Sequence, residues 1–279
     1  MLSFYKGIEN DIIKRLANGP LSAKALVKEI ARERKVTDQG VYKALKYLVD
    51  EEVITKQKRS VGLSHAWVER LSEFADDVVQ AYEVSEMNDF LHLEDGGKVS
   101  YTFTEYIKAD VHWAHIFFML AKRTDAPIFF LSPHDWFIVA RPDTESVLYS
   151  WAERAQRHIY TMMKRNTPLD KATEKLLSGD FVHLYCDSDV NAPMNHFTTS
   201  IGDFIFDFII PEHVADEMEE LYRAHTEINE ETTIAFRALT NKKWPVRFTV
   251  EHNAKKSLKF RRRLAKDFFI PADVREGWL

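Results

Sequence analysis

Positive charge is concentrated at one end of this chain, and that segregation constrains the fold more than any motif does. Met1–Arg70 holds 14 Lys and Arg against 9 Asp and Glu, a net of +5. The whole chain has 38 against 43, which leaves Leu71–Leu279 with 24 against 34, a net of −10. The total of −5 conceals this. Such an asymmetry predicts one module for a polyanion and a second for something else. At 279 residues there is chain enough for two cores. A hydrophobic content of 45% and an aromatic content of 13% exclude a disordered polymer. The single cysteine, Cys186, can form no intrachain disulfide, which predicts a reducing, cytoplasmic setting. The opening MLSFYKGIENDIIKRL is too evenly charged for a signal peptide. No apolar run approaches the roughly 20 residues of a membrane span, so no membrane partner is expected.

In the basic part, Ile8, Ile12, Ile13 and Leu16 fall at helical spacing within Phe4–Ala17, and Gly19-Pro20 stops that helix. Ser22 reads as the cap of a second helix carrying Leu21, Ala25, Leu26 and Ile30. Thr37 caps a third, with Val41, Leu45, Leu48 and Val49 facing inward. Glu51–Val61, EEVITKQKRSV, reads as a strand, a Lys/Arg-rich turn and a return strand.

Three short helices followed by a basic hairpin are the order of elements in a winged helix. LANGPLSAKALVKEI and VTDQGVYKALKYLVDEEVITK resemble the winged helix-turn-helix heads of bacterial and archaeal transcriptional regulators, over about Asn10–Val68. The resemblance implies double-stranded DNA as partner, with the third helix in the major groove. Its polar face is Thr37, Asp38, Gln39, Tyr42, Lys43 and Lys46. Gln39 suits adenine and Asp38 suits cytosine N4. Lys43, Lys46 and the turn residues Lys56, Lys58 and Arg59 suit phosphates.

Trp67, Leu71, Phe74, Val78 and Tyr82 form an apolar stripe on a following helix, which either pairs with its twin in a homodimer or packs on its own body. The expected domains are residues 1–68 for the head, 69–95 for the connector and 96–279 for the body, with Glu94–Lys98 as the boundary. In the body, strand-like and helix-like segments alternate, predicting an α/β fold with a mostly parallel sheet flanked by helices. Among the expected strands are Pro127–Ser132, Trp136–Ala140, Ile159–Met163, Phe181–Cys186 and Phe204–Ile210; the helices include Thr167–Leu177 and Lys255–Phe268.

Asp143–Asp189 is similar to one half of a phospholipase-D-like sheet domain, degenerate versions of which serve as sensors in regulators of the TrmB type. The active enzymes need a His-x-Lys followed by Asp, and the chain has no such motif. No catalytic role and no cofactor is therefore expected. A ligand site is expected beyond the carboxyl ends of strands, at His134 and Trp136 and at Arg165, Asn166 and Thr167, where a helix N-terminus offers free N–H groups. His112, His115, His183, Cys186, Asp187, Asp189 and His196 are scattered potential metal ligands without a recognised spacing. The expectation is a sequence-specific, dimeric transcriptional regulator with an effector-sensing or assembly body. The alternative is a nucleic-acid hydrolase using His134 with Asp135, or a metal at His183, Cys186 and Asp187. The basic run KKSLKFRRRLAK would form a solvated helix face.

Overall fold

In the basic segment most of the apolar residues at helical spacing end up inside, among them Ile12, Leu16, Leu26, Ile30, Val41, Leu45 and Leu48. The computed structural model describes residues 5–83, 86–186 and 193–279. The chain divides into two compact units, Met1–Met87 and Asn88–Leu279. The connecting helix therefore falls with the basic unit, and the division lies ahead of the expected EDGGK boundary.

The first unit runs α1 (Ile8–Leu16), β1 (Leu21–Ser22), α2 (Ala23–Arg34), α3 (Asp38–Asp50), β2 (Ile54–Gln57), β3 (Ser60–Leu63) and α4 (His65–Glu83). Its core is Ile12 and Leu16 from α1, Leu26, Val27 and Ile30 from α2, Val41, Leu45 and Leu48 from α3, and Val53, Ile54 and Val61 from the hairpin. Each such aliphatic side chain contributes about 1.5–3 kcal/mol on burial. The strands make a three-stranded antiparallel sheet in the order β1-β3-β2. Gln57 faces Ser60 across a tight turn at Lys58 and Arg59, with Lys58 in the left-handed region at φ 56°.

Three local expectations are corrected here. Leu21 and Ala25 are exposed, and Val27 and Ala31 take the inward positions of α2 instead. Ser22 precedes that helix but makes no capping bond through its side chain, because it pairs with Ser60 as a strand residue. Val49 is exposed, since Ala44 completes the buried stripe of α3. Among the described side chains of α4 none is fully buried; Trp67 packs partly against the core, whereas Val68, Phe74, Val78 and Tyr82 are exposed.

The second unit contains β4 (Lys98–Glu105), α5 (Tyr106–Ala121), β5 (Ile128–Ser132), α6 (Trp136–Ala140), α7 (Pro142–Ala155), β6 (Ile159–Met163), α8 (Pro168–Leu177), β7 (Val182–Cys186), β8 (His196–Ile201), β9 (Phe204–Ile209), α9 (Glu212–Ala224), α10 (Glu230–Thr240), β10 (Lys243–His252), α11 (Ala254–Leu264) and α12 (Ala272–Trp278). Seven strands form one sheet in the order β4-β10-β9-β8-β5-β6-β7. The α/β class and the flanking helices are as expected. Parallel pairing is confined to β5-β6-β7, each strand joined to the next through a helix, and the other four pairings are antiparallel. The sheet is thus mixed. One of the antiparallel pairs is a hairpin: β8 and β9 are joined by the two-residue turn Gly202-Asp203, where Gly202 adopts φ +53°.

Strand residues alternate between two cores. Ile128, Ile159 and Met163 face the large core beneath α5 to α10, while Phe129, Leu131, Tyr160 and Met162 face a smaller one closed by Leu264, Ala265 and Ile270. Trp136–Ala140 is a short helix, not the expected strand; Trp136, Ile138, Val139 and Ala140 are all buried, and a continuous apolar run of that length carries no period to distinguish the two. The Thr167 cap is as read: its side chain accepts from the Asp170 N–H while the Asp170 carboxylate accepts from the Thr167 N–H, closing a capping box ahead of Pro168.

Candidate functional site

Two places combine exposed or convergent polar groups with a fixed scaffold, one in each unit. In the first, the Thr37 hydroxyl accepts from the Gly40 N–H at 3.2 Å, which fixes where α3 begins. From that start the helix period sends Val41, Ala44, Leu45 and Leu48 into the core and leaves Asp38, Gln39, Tyr42, Lys43 and Lys46 in solvent, with Thr37 exposed beside them. Tyr42 is 48% exposed. Lys56, Lys58 and Arg59 are exposed on the β2-β3 hairpin. Among the described residues none of Lys43, Lys46, Lys56, Lys58 and Arg59 forms an ion pair. Other cations of the unit do: Arg15 with Glu29 at 3.3 Å, Arg34 with Asp11 at 2.5 Å and Arg70 with Glu52 at 3.2 Å. The hydrogen bond from Arg34 holds the Asp11 carboxyl below its usual range.

In the second unit the carboxyl ends of the parallel strands carry His134 after β5 and Arg165 after β6. The backbone pairing continues past the strands, with the Arg165 N–H donating to the Pro133 carbonyl at 3.1 Å. His134 is almost fully buried and both its ring nitrogens are engaged: Nδ1 with Asp170 Oδ1 at 2.8 Å and Nε2 with Glu219 Oε1 at 2.6 Å. A ring placed between two ionised carboxylates donates from both nitrogens, an arrangement that favours the imidazolium. Burial opposes that charge, but the bonds to Asp170 and Glu219 outweigh it and its pKa is raised. Tyr222 stacks on the ring with centroids 3.7 Å apart. Thr167 donates from N and Oγ1 to the other Asp170 oxygen, at 2.9 and 2.8 Å. Arg165 Nε reaches Glu219 at 3.3 Å, and the His134 hydrogen bond is the main cause that keeps the Glu219 carboxyl below its ordinary range.

The structure brings together only some of the residues expected at the strand ends. His134, Arg165 and Thr167 share one network, and Asn166 is exposed next to it. The network satisfies its own charges and leaves no inward-facing donor on His134. Trp136 lies elsewhere, fully buried and packed on Tyr106 and Phe137 with ring centroids 4.7 and 4.4 Å away. The sequence reading missed Asp170, Glu219 and Tyr222. Asp170 was legible as the last residue of the Thr-Pro-Leu-Asp capping box; Glu219, 85 positions from His134, left no local signal.

The hydrolytic pairing of His134 with Asp135 is not formed, because Asp135 accepts from the Tyr149 hydroxyl at 2.9 Å instead. His183 Nε2 meets His158 Nδ1 at 3.1 Å, and burial pushes the Cys186 thiol far above its usual range. His115 Nε2 meets Asn88 Oδ1 at 2.9 Å, and the His112 ring packs on Tyr101. Among the described residues no group of three His, Cys, Asp or Glu could hold a metal ion; Asp187 and Asp189 lie outside the described residues. No helix is long and apolar enough to cross a membrane. In the basic run, Arg261 is buried and donates to the Gly202 carbonyl and, at 2.8 Å, to the Ser257 hydroxyl, so that position braces the fold instead of facing solvent. No protein-family model, curated protein or solved structure matches the chain.

Proposed function

We propose that the chain is a sequence-specific DNA-binding transcriptional regulator, with a winged helix in its first unit and an effector-sensing or assembly domain in its second. The observation that carries the reading is α3: its apolar stripe is consumed by the core, and its remaining face offers amide, carboxylate, hydroxyl and ammonium groups to solvent from the first turn onward. A recognition helix needs that division, because base edges are read from the N-terminal turns while the opposite stripe anchors the helix. The exposed cations of α3 and the hairpin supply the sequence-independent phosphate contacts. Exposed apolar residues along α4 support a homodimer in which two such helices pair, spacing two heads for a two-fold operator.

The test is selection of bound duplexes from a random pool, followed by salt titration of the recovered site. Replacing Lys43 and Lys46 with Ala should weaken binding to every duplex and flatten the salt dependence by about one unit of slope per lost contact. Gln39→Ala should instead broaden the recovered consensus. Binding that ignores both salt and these substitutions would remove the reading.

A further inference from the structure

Beneath the sheet, where β5 has a parallel neighbour on one side and an antiparallel one on the other, α5, α7 and the strands leave a cavity of about 50 Å³. At roughly 10–15 Å³ for each water-sized occupant it has room for three or four waters, the size of a short-chain organic molecule. One of its polar atoms is buried without a hydrogen-bond partner among the described residues, the Thr161 hydroxyl, on a residue only 2% exposed. Glu145, on a residue 7% exposed, also lines the space, and among the described residues it forms no ion pair. The other two acids lining the space are accounted for: Asp110 is ion-paired with Arg141, and Asp135 accepts from Tyr149. Trp113, Phe130, Phe137 and Phe197 supply aromatic walls.

We propose that this cavity is a binding site for a small protonated amine, its ammonium paired with the Glu145 carboxylate and its carbon chain against the aromatic walls. An acid shut in a low-dielectric space must either keep its proton or acquire a cation. Burial pushes Glu145 up to about 8, the neighbouring Asp135 charge adding to this and Arg141 opposing it, so without a ligand it keeps its proton at neutral pH. Burial likewise pushes Asp135 up to about 6 against the Tyr149 hydrogen bond. Tyr106 of α5 is within electrostatic range of both acids. An ammonium replaces the proton, and aromatic faces around it add cation–π attraction. A neutral alcohol of the same shape gains neither. The regulatory meaning of the site rests on the effector half of the reading above; its ligand chemistry does not.

The experiment is calorimetry of the full chain with butylamine and with butan-1-ol, in two buffers of different protonation enthalpy. Butylamine should bind with release of close to one proton at neutral pH, its affinity rising as pH is taken from about 6 to about 9; the alcohol should bind far more weakly. Glu145→Gln should cost roughly tenfold to a hundredfold in amine affinity, and Thr161→Val a smaller factor, with circular dichroism confirming that each variant is folded. Equal binding of the alcohol, binding without proton release, undiminished affinity in folded Glu145→Gln, or no amine binding at all would overturn the proposal. Amine binding that leaves the affinity for the selected duplex unchanged supports the site and defeats its regulatory role; loss of DNA binding alone defeats the regulator and leaves the site standing.

Discussion

The α3 face and the strand-end cluster around His134 look alike as sequence: a Thr cap, a few polar residues and a basic side chain at the start of a helix. In three dimensions they are opposites. On α3 the polar groups point away from the core, and among the described residues Lys43 and Lys46 form no ion pair. Around His134 the acids are answered, Asp170 by the His134 ring and Thr167, Glu219 by His134, Arg165 and, at 3.6 Å, Arg223. Availability for a partner is thus decided by what the rest of the chain brings alongside, and residue type is silent about that.

The contrast can be pressed hardest at His134. His134→Ala strands Asp170, which is completely buried, and should lower stability by about 3–5 kcal/mol in urea unfolding; a loss below about 1 kcal/mol would mean that water enters and the cluster is not closed. In the first unit the corresponding weight sits on the apolar stripe, so Leu48→Ala should cost about 2–5 kcal/mol. Next comes pH. His134, Asp135 and Glu145 all have raised values in the fold, so each adds stability that is complete below its unfolded value and is lost as pH rises through its folded value, about 6 for Asp135 and about 8 for Glu145. Stability should therefore decline from mildly acid to alkaline pH, and Glu145→Gln should remove part of that decline; Asp11 and Glu219, whose values are lowered, act oppositely and only in more acid solution. A pH-independent thermal midpoint across this range would contradict the burial of these groups. Thr167→Ala should cost about 1 kcal/mol through the lost cap. Lys46→Ala should fall within about 0.5 kcal/mol of the parent in stability while weakening DNA binding, the smallest structural effect and the one that separates surface from interior.

Legibility followed the same divide. Helical spacing located α1 to α3, and the Thr37 and Thr167 caps were readable because their partners lie three residues away. Trp136–Ala140 was misread because an all-buried run has no exposed face to set a period. β8 went unnoticed since HFTTSI is too polar to stand out, although the Gly-Asp step before Phe204 marks a hairpin. Without β8 a parallel sheet was the natural deduction. At the candidate sites, the outward residues of α3 followed from period alone, whereas the company of His134 depends on residues far apart in sequence.

The order of the seven strands has a consequence for how the molecule is made. β4 leaves the ribosome first of all the strands in its sheet, yet its one neighbour there is β10, which is the last to be synthesised. More than a hundred residues must emerge before that edge finds its complement, and until then the nascent chain carries an open strand able to pair with a stranger.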